Sequence, residues 1–68
     1  MKLLISVNGE KREIPEGLSI GQLLEELAIR PGHVVIELNR DIISREEYRS
    51  VILKEGDTLE IVHFVGGG

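Results

Sequence analysis

The run from Ser19 to Leu27 constrains this chain more than any other part of it. Ile20, Leu23, Leu24 and Leu27 fall at i, i+3, i+4 and i+7, one apolar stripe along a single helix. Ser19 supplies the N-cap and Gln22 completes a capping box. Leu18 and Leu23 hold the N′ and N4 positions of a hydrophobic staple. Glu25 and Glu26 fall on the wet side, and Pro31-Gly32 is expected to stop the helix. No second helical pattern of comparable length exists among the 68 residues to cover the stripe. A sheet must cover it. With no cysteine there is neither a disulfide nor a thiolate metal site to staple the fold, so one thin hydrophobic core has to suffice.

The rest of the chain provides that sheet. Leu3-Leu4-Ile5-Ser6-Val7 alternates as a strand with Leu3, Ile5 and Val7 on one face. Asn8-Gly9 follows, a strong two-residue hairpin signal because both central positions of a type I′ turn need φ > 0. Lys11-Arg12-Glu13-Ile14 returns as a mostly polar strand ended by Pro15-Glu16-Gly17. Val34-Val35-Ile36-Glu37-Leu38 is too apolar for an edge strand and belongs inside the sheet. Asn39-Arg40-Asp41 turns into a short Ile42-Ile43 segment, and Ser44 to Tyr48 reads as a brief helical turn capped by Ser44. Val51-Ile52-Leu53 and Glu55-Gly56-Asp57 lead into a last strand from Thr58 to Val65. The order predicts an α+β chain of the β-grasp (ubiquitin-like) class, a mixed sheet of four to five strands packed on one main helix. The last strand is expected in the centre, parallel to the first. Residues 1–65 form the domain and 66–68 a flexible glycine tail.

Charge narrows the partners. Twelve acids against eight bases leave −4, with no basic block to neutralise phosphates, so nucleic acid is not expected. The longest uninterrupted runs of apolar side chains are three residues, far short of a membrane span. Met1-Lys2-Leu3 lacks the apolar region of a signal peptide, and a cytoplasmic location is expected.

The sequence ends Val65-Gly66-Gly67-Gly68. At average glycine usage such a triplet arises at a chain end in roughly 0.03% of sequences. A well-patterned strand feeds it directly. Without Cβ atoms, glycines thread a narrow channel and approach another protein's backbone closely. Three extended residues reach about 10 Å. The carboxylate at Gly68 is a poor electrophile until a partner converts it to an acyl-adenylate, after which a sulfur or amine nucleophile can attack. The bland alternative is a frayed end or a cloning remnant without a role.

Val35-Ile36-Glu37-Leu38-Asn39, Ile42-Ile43-Ser44-Arg45 with Tyr48, and the run from Gly56 to Gly68 together resemble the thiamine-biosynthesis sulfur carriers (ThiS). The resemblance covers essentially the whole chain and is most specific at the tail. It departs from the common pattern at Tyr48, where many members carry Trp, and at Ser44, where many carry Pro. It implies that Gly68 is adenylated by an ATP-dependent E1-like adenylyltransferase and converted to a thiocarboxylate. The sulfur would come from a cysteine desulfurase or rhodanese-like donor and pass to thiazole synthase. The chain is then a co-substrate and not an enzyme, binding no cofactor itself while the partner uses ATP. Alternatives within the fold are a carrier for molybdopterin or another sulfur pathway and a ubiquitin-like modifier. Outside the carrier class stands a plain binding module with an inert tail.

Parity along the last strand sets Leu59, Ile61, His63 and Val65 on one face and Thr58, Glu60, Val62 and Phe64 on the other. With Leu59 and Ile61 in the core, Val62 and Phe64 lie on the open face beside the tail. With Val65 they are the candidate partner-binding residues. Phe64 covering a core edge is the alternative. His33 and His63 have no spaced nucleophile or orienting acid, and the carboxylates show no metal spacing. Glu46-Glu47 beside Arg45 and Arg49 reads as a solvated face, and Arg45 carries no role legible in the sequence.

Overall fold

A computed structural model describes residues 1–64. Strand β1 (Lys2–Val7) and strand β2 (Glu10–Pro15) form the expected antiparallel hairpin, with Leu3 opposite Ile14 and Val7 opposite Glu10. Asn8 and Gly9 take φ +50° and +85°, as a type I′ turn requires. Helix α1 (Ile20–Glu26) follows. A 3-10 turn (Pro31–His33) leads into strand β3 (Val34–Leu38), and strand β4 (Asp41–Ile43) returns beside it. A second 3-10 turn (Arg45–Glu47) precedes strand β5 (Thr58–His63).

The five strands form one mixed sheet in the order β2-β1-β5-β3-β4. The last strand is central, parallel to β1 and antiparallel to β3, and one helix packs on one face. This is the β-grasp arrangement. The stripe of α1 does what its spacing demands. Ile20, Leu23 and Leu24 are fully buried against Ile5, Ile14, Ile36 and Leu59, while Leu27 is half-buried at the edge. Ser19 closes its capping box, accepting from the Gln22 N–H at 3.1 Å while its own N–H donates to Gln22 Oε1 at 2.9 Å. The return segment straps the helix start: Ile20 N–H donates to Val51 O, Gly21 N–H to Tyr48 O, and Leu53 N–H to Leu18 O.

Two expected boundaries move. The helix ends at Glu26 with Leu27 as C-cap, before Pro31. Ala28 takes φ +58°, its N–H donates to Glu25 O, and Ile29 N–H donates back to Leu24 O. That is a Schellman ending with alanine in the usual glycine position. Among the described residues the last strand ends at His63, with Phe64 outside it, because β3 begins at Val34, opposite His63. Val65, the end expected for the domain, and the tail Gly66, Gly67 and Gly68 lie outside the described residues.

Candidate functional site

Strand β5 is built so that one face is core and the other is offered to solvent. Leu59 and Ile61 are buried, whereas Val62 is 55% and Phe64 57% exposed. The open-face reading of Val62 and Phe64 therefore holds geometrically, and Phe64 does not cover a core edge. Its backbone is nonetheless anchored, with Phe64 N–H donating to His33 O at 3.0 Å. The core-side parity carries only as far as Ile61. His63 is exposed, and β1 pairs with β5 only as far as Leu59.

The sheet adds neighbours that sequence alone did not bring forward. Val62 lies directly opposite Val35, Glu60 opposite Glu37, and Glu37 opposite Ile42, which is 70% exposed. Opposed residues share a face, so Val62 and Val35 sit side by side in one row, and Glu60, Glu37 and Ile42 form the next, with two carboxylates set against each other across the β3–β5 pair. Like charges directly opposite oppose folding, and such a pair is relieved by a partner's cation. Ile42 was legible as an apolar residue in a two-residue segment, but its place needs the β3–β4 register.

Asparagine side chains bracket β5 from both sides. Asn8 Oδ1 accepts from the Ile61 N–H at 2.6 Å and Asn8 Nδ2 donates to Ile61 O at 3.2 Å. Asn39 Oδ1 accepts from the Thr58 N–H at 2.9 Å, and its Nδ2 donates to Asp57 Oδ1. The strand that precedes the glycines is thus pinned over most of its length by neighbours on either hand.

A separate cleft of 610 Å³ lies between α1 and the Ser44–Tyr48 turn, lined in part by Gln22, Glu25, Arg45, Tyr48 and Arg49. The Arg45 guanidinium folds over the Pro31–His33 turn, where a Cβ on Gly32 would meet its Nη1 at 3.3 Å. This gives Arg45 a structural place. Burial pushes the Tyr48 phenol up, partly countered by Arg45. The exposed Glu47 carboxyl is held below its usual range by Ser44, whose hydroxyl and N–H both donate to it. The His33 carbonyl accepts from the Phe64 N–H, and no group of three metal-ligating side chains occurs among the described residues. Nor is any helix there long and apolar enough to cross a membrane.

Comparison with known proteins agrees with this architecture. The thiazole synthase of Magnetococcus marinus is 41% identical over 64 residues, 94% of this chain and 20% of that protein. The chain thus spans about a fifth of the length of that relative. The sulfur carrier protein ThiS of Bacillus subtilis is 44% identical over 50 residues, covering 74% of this chain and 76% of that one. The crystal structure of the thiamine biosynthesis protein ThiS from Geobacter metallireducens superposes with a TM-score of 0.84 at 32% identity, covering 97% of this chain and 100% of that chain. The ThiS family pattern matches residues 5–68, from the core of β1 through the terminal glycines, and the chain belongs to the ThiS family.

Proposed function

We propose that this chain is a sulfur carrier for thiamine biosynthesis, a co-substrate that works through the Gly68 carboxyl. A carboxylate oxygen attacks the α-phosphorus of ATP on an E1-like adenylyltransferase, releasing pyrophosphate and leaving an acyl-adenylate. A sulfur nucleophile from a cysteine desulfurase or rhodanese-like donor then displaces AMP. If the sulfur arrives as a persulfide, a second thiol cleaves the S–S bond, leaving the thiocarboxylate and a disulfide. The thiocarboxylate sulfur is delivered to thiazole synthase. No side chain of this chain takes part in bond making, and it holds no cofactor of its own.

The observation that carries the reading is the placement of β5. The central, doubly paired strand leads through Phe64 straight into Val-Gly-Gly-Gly, so a rigid body delivers a slender acyl group. Matched stretches in sulfur carriers and within a thiazole synthase support the pathway and that partner. Docking falls to Val62, Phe64 and Val65, with Glu37 and Glu60 meeting a basic patch on the activating enzyme. Gly66 and Gly67 pass through its channel.

The test is pyrophosphate exchange by the activating enzyme. Phe64→Glu is expected to lower kcat/KM about tenfold or more, the loss of one buried anchor contact, with thermal stability unchanged. Normal activation of the folded variant removes the docking face. Deleting Gly67 and Gly68 is expected to abolish rescue of thiamine-requiring cells, and full rescue by that deletion contradicts the carrier role itself.

A further inference from the structure

The hydrogen-bond pattern leaves a gap in the sheet beside the end of β5. β1 pairs with β5 only at Ser6–Thr58 and Val7–Leu59, because the chain turns away at Asn8-Gly9 to begin β2. Along β5 the odd-numbered residues face β1. Asp57 O accepts from Ser6 N–H, Leu59 O accepts from Asn8 N–H, and the Asn8 side chain meets both polar groups of Ile61. The even-numbered residues face β3: Thr58 O accepts from Asn39 N–H, and Phe64 N–H donates to His33 O. The alternation turns the His63 N–H and C=O to the β1 side, one step past Asn8, where no strand of the described residues runs.

A groove of 290 Å³ lies beside this open edge. Its apolar lining is Val7, Leu27, Ile29 and Ile61, and Lys11 and Arg12 stand around it, with Glu10 the one acid. On a chain of net charge −4 these two cations beside an apolar floor are a local reversal of sign. The geometry points to strand addition at this place by an extended segment of a partner protein, rich in aliphatic and acidic residues. Its backbone pairs with His63, an aliphatic side chain rests on the floor, and its carboxylates meet Lys11 and Arg12. The site lies on the β1 side of β5, away from the Val62–Phe64 face, and it uses only described residues.

The test titrates the ¹⁵N-labelled full chain with an end-blocked peptide, Asp-Glu-Val-Ile-Val-Glu-Asp. Amide shifts are expected at Asn8, Lys11, Ile61 and His63, with slowed exchange of the His63 N–H. Two further peptides carry an N-methyl group on the central residue or on its neighbour, so that one of them blocks whichever N–H faces the edge. At least one is expected to bind about tenfold more weakly. Lys11→Glu with Arg12→Glu, both on an exposed edge strand, is expected to weaken the parent peptide by a similar factor. Absence of shifts up to millimolar peptide, or equal binding of all three peptides, overturns the inference. So do shifts confined to the Val62 and Phe64 face. Self-association with shifts at Asp41–Ile43 overturns it too, since β4 of a second copy is then the occupant.

Discussion

Asn8 takes φ +50° at the first position of the β1–β2 turn, and the same side chain then brackets Ile61. Asn39 repeats the device on the other side of β5, with φ +51° and a bond to the Thr58 N–H. Asparagine suits both tasks, because it tolerates the left-handed region and its amide imitates a peptide group. The turn role of Asn8 is legible in the dipeptide Asn-Gly. The bracing role is not, because it depends on which strand lies beside β1, 53 residues away in sequence. Asn8→Gly separates the two tasks. The turn keeps its conformation, while the Ile61 N–H and C=O lose their partners. Stability is expected to fall by about 1–3 kcal/mol in denaturant unfolding, and the Ile61 amide to exchange faster under native conditions. Unchanged exchange at Ile61 contradicts the bracing role.

Among elements, α1 shows which signals are local and which are not. Its start is written in adjacent residues, since Ser19 and Gln22 satisfy each other's backbone groups whatever the rest of the chain does. Its end is not marked by glycine, so Pro31-Gly32 drew the boundary too late. Tertiary packing of Leu24, fully buried, and Ile29, half-buried, holds Ala28 at φ +58° against its own preference. Left-handed backbone disfavours alanine by about 1–2 kcal/mol, and glycine gives back part of that through its freer unfolded chain. Ala28→Gly is expected to stabilise the protein by about 0.5–1 kcal/mol, read as a higher unfolding midpoint with unchanged m-value. A lower midpoint contradicts the strain. Strand β5 teaches the same lesson: its alternation placed Leu59, Ile61, Val62 and Phe64 correctly, but where pairing stops is decided by β3, and β1 pairs only as far as Leu59.

At the scale of the molecule, sheet order matters more than any one contact. Placing the last strand between β1 and β3 puts it at the centre of the sheet, where exposed Val62 and Ile42, half-buried Val35 and the Glu37–Glu60 pair share the open face. The fold class was legible because hairpin, helix and strand patterns each pointed to it independently. The open face was legible only in part, since parity assigns Val62 to it but cannot say which residues of β3 and β4 stand alongside. The central claim remains chemical: sulfur rides on the acyl carbon of Gly68. The intact mass of the protein purified from its native cells tests this most directly. The account predicts a species heavier by the exchange of one oxygen for sulfur, which reverts on hydrolysis and disappears when the activating enzyme is deleted. High-mass conjugates to other proteins, or an oxygen-only carboxyl in cells actively making thiazole, would contradict it.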